Sequence, residues 1–158
     1  MNVNRRAFLD MLAVSEIGHK MLAMPETENG YRVIVGSTPS KLILMDNYDR
    51  HPKRLIDLPK LGIKSTAAGR YQLLGRYADH YLALLNLKDF GPDSQDAIAL
   101  QQIRERRALD DIDAGRFADA VKKVRNIWAS LPGAGYDQHE NKLDMLQTAY
   151  VAAGGRLA

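Results

Sequence analysis

Hydrophobic side chains recur at helical spacing in five stretches of the chain. In the clearest stretch, Phe117, Val121, Val124 and Trp128 are separated by four, three and four residues, which places them on one face of a helix. We assign Trp128 to core packing on this stripe and expect the helix to stop before Pro132. The other helices are predicted over about residues 5–15, over 67–87 as two helices meeting near residue 75, from residue 94 onward, and over about 140–153.

Capping and breaking residues place the ends of the later helices. Ser94 or Asp93 is expected to cap the helix that follows Gly91-Pro92, because a side-chain oxygen there can accept from free amides of the first turn. Gly154-Gly155 is expected to end the last helix. The side chains predicted to face inward on that helix are Leu143, Leu146 and Tyr150.

The middle of the chain changes from helical to extended patterning. Residues 31–35 are rich in β-branched side chains and lie between Gly30 and Gly36, and residues 41–45 form a second short apolar run. Prolines at 39, 52 and 59 argue against long helices between 37 and 62. These patterns predict an α+β fold, mainly helical with one small antiparallel sheet. The length of 158 residues predicts a single domain over residues 1–158.

Composition excludes several classes of chemistry. The chain contains no cysteine, so it has neither disulfides nor thiolate metal sites, and its four histidines do not form a His-x-x-x-His zinc signature. No nucleophile elbow, dinucleotide fingerprint or phosphate loop occurs. We therefore expect no metal and no cofactor. The net charge of +3 and the pI near 9.2 favour an anionic partner without choosing among nucleic acid, membrane surface and cell wall.

One carboxylate stands out by its position. Glu16 follows the first apolar helix, where a low-dielectric wall would raise its pKa and keep it protonated near neutral pH. Such an acid can protonate a glycosidic oxygen. The plainer interpretation is an acidic side chain at a helix end, and composition alone favours it.

Long segments of the chain resemble the bacteriophage lambda-type endolysin family, whose members are lytic transglycosylases with a lysozyme-like fold. These segments follow one another in order over nearly the whole chain. They are residues 5–13, Ser15-Glu16, 30–31, 33–36, 51–52, 64–66, 68–74, 87–90, 94–97, 99–103 and 126–136.

The resemblance implies that Glu16 is the acid/base that cuts the glycan strand of peptidoglycan. A transglycosylase works with one carboxylate, because its nucleophile, the muramyl C6 hydroxyl, is already in the substrate. The segment 65–72 lies beside the cleft in that family, and Tyr71 and Gln72 are the strongest subsite candidates. For Tyr71, core packing is an equal alternative, with Ser65 or Thr66 as a helix cap. The full set of substrate-binding candidates is Tyr31, Arg32, Ser65, Tyr71, Gln72, Gln95, Asn126 and Tyr136.

Three positions depart from the family pattern. Val14 stands where relatives often have Trp, Ile17 follows Glu16 where Gly is usual, and Arg32 stands where an acidic residue is common. Arg32 is expected to favour an anionic stem peptide or lactyl carboxylate.

Two alternatives remain open from the sequence. A hydrolytic lysozyme would commonly use a second carboxylate, for which Asp46 and Asp49 are the candidates, although both fit turn chemistry better. A catalytically inactive module that binds the wall or nucleic acid is the other alternative. Lys and Arg are spread along the chain without a nucleic-acid motif, so no nucleic-acid partner is expected.

The apolar N-terminal stretch, residues 1–24, is interrupted by Asp10, Glu16 and Lys20, so it lacks the continuous core of a signal peptide or membrane span. The resemblance implies a monomer that accumulates in the host cytoplasm. A separate holin-type membrane protein would then release it to act on the cell wall in the periplasm.

Overall fold

The computed structural model describes residues 1–136 and 138–158, and helices dominate its regular structure. The only ladder of paired strands in this part of the chain is an antiparallel hairpin, β1 (Ile56–Leu58) with β2 (Ile63–Ser65), in which Ile56 lies opposite Ser65. The predicted α+β class with a small antiparallel sheet is therefore confirmed. The helices are α1 (Val3–Ile17), α2 (His19–Leu22), α3 (Gly75–Leu84), α4 (Pro92–Glu105), α5 (Leu109–Asp113), α6 (Phe117–Val124) and α7 (Leu143–Ala152), with a 3₁₀ turn at Pro25–Thr27.

The backbone divides into two compact units. The first contains residues 1–16 and 99–158, and the second contains residues 17–98. The single-domain assignment stays a prediction. Among residues 1–136 and 138–158, none of the helices combines the length and the apolar composition that a membrane span requires.

Aromatic side chains build the core of the first unit. Phe8 of α1 meets the edge of Phe117 at a ring-centroid distance of 6.1 Å, and Phe117 lies 4.9 Å from Tyr150 of α7. The predicted stripe is buried throughout, including Trp128. The helix itself is shorter than predicted, because the amide of Ile127 donates to the carbonyl of Val124, three residues back, in a tightened turn that precedes Trp128.

Helix α7 ends at Ala152, and Gly154-Gly155 terminates it as predicted. Gly154 adopts a φ of +97°, its amide donates to Val151, and the amide of Gly155 donates to Tyr150, which together form a Schellman motif. Leu146 and Tyr150 are buried as expected. The inward assignment of Leu143 is wrong, because this first residue of α7 is 37% exposed.

The two predicted strands of the second unit do not form a ladder. Residues 31–35 and 41–45 meet at one bridge, Val33 with Leu44, flanked by hydrogen bonds from Ile34 to Ile43 and from Met45 to Arg32, each 2.8 Å long. Past this point the backbone of residues 33–35 bonds to 67–69 instead, since Val35 donates to Ala67 and Gly69 donates to Val33. The sheet lies later in the chain than predicted.

The segment 67–74 is not the helix that its hydrophobic pattern predicts. Ala68 and Leu73 exchange both backbone hydrogen bonds, while Gly69 and Gln72 have φ values of +86° and +49°. Positive φ values are incompatible with a right-handed helix, so the segment folds as a tight loop. Helix α3 starts at Gly75, whose amide donates to the Thr66 hydroxyl at 2.9 Å.

The start of α4 is held by a residue outside the helix. Asp89 Oδ1 accepts from the Gly91 amide and from the Ser94 hydroxyl, each at 2.9 Å. The assignment of Ser94 or Asp93 as the cap is wrong, because α4 begins at Pro92 and both residues lie inside its first turn. The buried cluster of this unit consists of Ile34, Met45, Ala68, Leu73, Ala78, Tyr81, Phe90 and Ile98.

Candidate functional site

Glu16 lies in the last turn of α1, at a point fixed by the sequence. The helix ends at Ile17 because Gly18 takes a φ of +87°, which side chains with a Cβ rarely adopt. Leu12 and Ala13, one turn before Glu16, are fully buried, so the carboxyl group stands next to an apolar surface. Burial raises the pKa of the half-buried Glu16 to about 7.

A chain of hydrogen bonds reaches Glu16 from the opposite end of the sequence. Ser130 Oγ donates to Glu16 Oε1 at 3.0 Å and lies 2.7 Å from Ser15 Oγ. The Asn141 amide donates to Ser15 Oγ at 3.0 Å and to the Ser15 carbonyl at 3.1 Å. The bond from Ser130 opposes the effect of burial on the pKa of Glu16, because it favours the ionised form.

This geometry gives a carboxyl group that can work in both protonation states. With a pKa of about 7, Glu16 is partly protonated and partly ionised at neutral pH. A group in this state can donate a proton in one step and accept one in the next.

Two of the predicted subsite tyrosines meet at a buried carboxylate in the second unit. Asp96 Oδ1 accepts from the Tyr31 hydroxyl at 2.9 Å and from the Tyr71 hydroxyl at 2.6 Å. The Arg70 guanidinium carbon lies 5.3 Å and 5.6 Å from the centres of the two rings, and Arg70 also donates to the Tyr71 hydroxyl at 3.0 Å. Burial raises the pKa of both tyrosines. We call these four residues the Asp96 cluster.

Gln95 joins the Asp96 cluster to the surrounding loops. Its side-chain oxygen accepts from the Arg70 amide at 2.9 Å, and its nitrogen donates to the carbonyls of Tyr31 and Phe90 at 3.1 and 2.8 Å. Both amide hydrogens are thereby used inside the fold. Gly69 is required here, because a Cβ at this position would collide with the Gln95 amide. This geometry supports a positioning role, and a sugar contact by Gln95 stays a prediction.

The other candidates of the second unit are two loop residues, Arg32 and Gln72, and one residue of strand β2, Ser65. Arg32 donates to the Met45 carbonyl at 2.9 Å and pairs with Glu28 at 3.4 Å, and Gln72 donates to the carbonyls of Gly69 and Val33. Ser65, at the end of β2, accepts from the Ala67 amide at 3.2 Å. These bonds orient all three side chains, whose contacts with substrate stay predictions.

Asn126 and Tyr136 come together in the first unit. The hydroxyl of the exposed Tyr136 donates a hydrogen bond to the Asn126 carbonyl at 2.6 Å, so this ring is anchored at the surface.

Asp46 and Asp49, the candidates for a second carboxylate, are exposed, and the amide of Asp49 donates to the side chain of Asn47 in an Asx turn. The sequence-based assignment of Asp46 and Asp49 to turns agrees with this geometry.

Sequence patterns missed Ser130, Asn141 and Asp96. Ser130 is 114 residues away from Glu16 in the sequence, and helical periodicity does not predict which distant residues will pair.

Within the described residues, no group of three His, Asp or Glu side chains could hold a metal ion. That the protein uses no metal or cofactor stays a prediction.

Comparison with known proteins gives a consistent result. The family model described as Endolysin matches residues 6–157. The endolysin of Escherichia phage lambda is 53% identical over 156 residues, covering 98% of this chain and 94% of the relative, and that of Escherichia phage P2 is 50% identical over 159 residues, covering 96% and 93%. A solved structure of bacteriophage lambda lysozyme complexed with a chitohexasaccharide matches with a TM-score of 0.90 at 50% identity, covering 100% of this chain and 98% of that one. A second structure of lysozyme from bacteriophage lambda matches with a TM-score of 0.86.

Proposed function

Because the chain belongs to the Endolysin family and is a lysozyme-like phage enzyme of the lambda type, we propose that it is a peptidoglycan lytic transglycosylase with Glu16 as its acid/base. The bond cleaved joins N-acetylmuramic acid to N-acetylglucosamine through a β-1,4 linkage. The observation that carries this proposal is the environment of Glu16, a half-buried carboxyl group with a pKa of about 7.

The relatives support a glycan substrate. The related lambda lysozyme was solved with a chitohexasaccharide, a chain of N-acetylglucosamine units. Peptidoglycan strands present the same sugar in alternation with its muramic acid derivative. The net charge of +3 also favours the anionic bacterial wall.

In the first step, protonated Glu16 donates to the bridging oxygen, and the bond from that oxygen to C1 of the muramyl residue breaks. The N-acetylglucosamine portion leaves with a free C4 hydroxyl, and Glu16 becomes a carboxylate. In the second step, this carboxylate accepts the proton of the muramyl C6 hydroxyl while the C6 oxygen bonds to C1. The product is a 1,6-anhydro end, and no water is consumed. Intramolecular attack has a high effective molarity, which replaces a dedicated protein nucleophile.

Hydrolysis at the same bond is the competing reaction. It would need an activated water and commonly a second carboxylate. Asp46 and Asp49 are exposed turn residues, whereas the single carboxyl at Glu16 suffices for the intramolecular route. The geometry therefore favours transglycosylation.

Product analysis in heavy-oxygen water separates the two reactions. Purified murein is digested with the wild type, with Glu16→Gln and with Glu26→Gln, an exposed glutamate that serves as the matched control. Mass spectrometry of the wild-type and Glu26→Gln digests should show anhydromuramyl ends that lack the label. Labelled reducing ends would establish a hydrolase, and ends released at the full rate by Glu16→Gln would remove Glu16 from the reaction.

We further propose the cellular setting that the resemblance implies. The enzyme accumulates as a monomer in the host cytoplasm, and a holin-type membrane protein releases it to the wall in the periplasm. Expression in a bacterial host should leave cells intact until such a protein is co-expressed. Lysis by the enzyme alone, or recovery of a chain shortened by leader removal, would contradict this route.

A further inference from the structure

We propose that Asn141, Ser15 and Ser130 form a one-directional hydrogen-bond chain that fixes Glu16 Oε1 as an acceptor and leaves Oε2 to carry the catalytic proton. All three are positioning residues, since they act through Glu16. The inference rests on the proposed acid/base role of Glu16 and assigns that role to one of its two oxygens.

The direction of the chain follows from its ends. The Asn141 nitrogen contacts the Ser15 carbonyl, which only accepts, so the amide group must point its NH₂ toward Ser15. Ser15 Oγ therefore accepts from Asn141. At the other end, Ser130 has one hydroxyl hydrogen and gives it to Glu16 Oε1. Ser15 must then be the donor in the 2.7 Å contact between the two serines.

This arrangement makes the two carboxyl oxygens of Glu16 unequal. In a neutral carboxyl group the carbonyl oxygen is the better acceptor, so the bond from Ser130 selects Oε1 as the carbonyl and Oε2 as the hydroxyl. In the described part of the first unit, Oε2 accepts no hydrogen bond. No buried side-chain nitrogen or oxygen among the described residues lacks a partner, so Oε2 keeps access to solvent or substrate. The accessible oxygen is thus the one that bears the proton.

Burial of the serines keeps the chain in place. Ser15 is only 8% exposed, and Ser130 and Asn141 are partly buried, which limits competition from water for these bonds. Removing Ser130 should raise the pKa of Glu16, because a donor to the ionised form is lost. Removing Asn141 should act in the same direction but more weakly, because Ser130 remains.

The test is a carbon-13 NMR titration of the glutamate carboxyls, which needs no enzymatic activity. The chain has five glutamates, so the resonance that Glu16→Gln removes identifies Glu16. We expect Ser130→Ala to move its midpoint upward by about one pH unit, and Asn141→Ala to move it by less. Ser130→Thr keeps the hydroxyl and should restore the wild-type midpoint. Thr148→Val, which removes an exposed hydroxyl on α7, is the control and should change nothing.

A double-mutant cycle decides between a chain and separate contacts. If Asn141 acts through Ser130, then Asn141→Ala should add nothing to the midpoint of Ser130→Ala. The alkaline limb of kcat/KM should move upward with the midpoint, while the maximum rate falls about tenfold through lost positioning. Additive shifts, or a Ser130→Ala midpoint at or below that of the wild type, would overturn the proposal. Full lysis by Glu16→Gln would defeat the proposed function while leaving the titration result intact.

Discussion

The surroundings of Glu16 and the Asp96 cluster show two ways of holding a carboxyl group next to apolar surface. Asp96 Oδ1 accepts from two tyrosine hydroxyls, with a guanidinium group over both rings. Glu16 Oε1 accepts one bond, from a neutral serine, and burial raises its pKa to about 7. Burial with a single neutral donor favours the neutral acid at Glu16. The Asp96 carboxylate instead has two hydroxyl donors and a guanidinium group beside it, so the two sites differ in the number and charge of their neighbours.

The two regions also respond oppositely to pH. Burial raises the pKa of Glu16, so its contribution to stability is present in acid and is lost as pH rises through about 7. His51, in the second unit, has its pKa lowered by burial: its Nε2 bonds to the Leu73 carbonyl at 2.7 Å and its Nδ1 accepts from the Lys53 amide. Its contribution is present above the ordinary histidine pKa and is lost as pH falls.

The largest expected effect comes from Glu16→Gln. Loss of the proposed acid/base should reduce the rate of murein cleavage by about 1000-fold. The same change should raise the free energy of unfolding at about pH 8 by up to ~3 kcal/mol, since the wild type must hold an ionised carboxyl in a site that favours the neutral form.

Turbidity clearing of murein and chemical denaturation at about pH 4 and about pH 8 measure both effects. The gain in stability should vanish in acid, where wild-type Glu16 is already neutral. Equal gains at the two pH values would show that the carboxyl group is not strained by its surroundings.

The second effect contrasts the Asp96 cluster with Glu16. Asp96→Ala leaves two buried tyrosine hydroxyls without their acceptor and should lower the free energy of unfolding by about 2–4 kcal/mol. Cleavage per folded molecule should stay within a few-fold of the wild type. Chemical denaturation measures the loss of unfolding free energy, and cleavage rates normalised to the amount of folded protein measure the activity. A stable Asp96→Ala protein that has lost activity would move the catalytic carboxylate from Glu16 to Asp96.

The third effect isolates His51. In Glu16→Gln the opposing contribution of Glu16 is gone, so the free energy of unfolding should fall more steeply between about pH 7 and about pH 5 than in the wild type, by about 2 kcal/mol. Nitrogen-15 NMR of the imidazole should show the Nε2–H tautomer and a midpoint below that of free histidine. A parallel pH dependence in the two proteins would contradict the opposite signs assigned to Glu16 and His51.

Sequence patterns predicted the parts of the fold that are determined by residues close together in the sequence. The stripe from Phe117 to Trp128 is buried, Gly154 closes the end of α7, and Glu16 lies at the end of an apolar helix. In each case the signal is the spacing of apolar side chains or a residue with special backbone freedom. Both are local properties of the chain.

The failures share a different cause. The segment 67–74 has helical composition, but positive φ values at Gly69 and Gln72 allow its backbone to bond with residues 33–35 instead. The contacts of Ser15 with Ser130 and Asn141 likewise join segments more than 100 residues apart. Pairings of this kind depend on tertiary packing, which the periodicity of either segment does not reveal. The resemblance pointed to Glu16 but not to Ser130 and Asn141, whose hydrogen bonds lead to it.

The smallest expected effect concerns Tyr71, for which the sequence left core packing and sugar binding equal. Its hydroxyl accepts from Arg70 and donates to Asp96, and the side chain is 5% exposed. Tyr71→Phe should therefore lower the free energy of unfolding by about 1 kcal/mol and leave KM for murein unchanged. Tyr77→Phe, the exposed control on α3, should change neither the free energy of unfolding nor KM. A raised KM in Tyr71→Phe alone would make Tyr71 a sugar subsite. The Asp96 cluster would then serve binding as well as stability, and its contrast with Glu16 would lie only in which group transfers the proton.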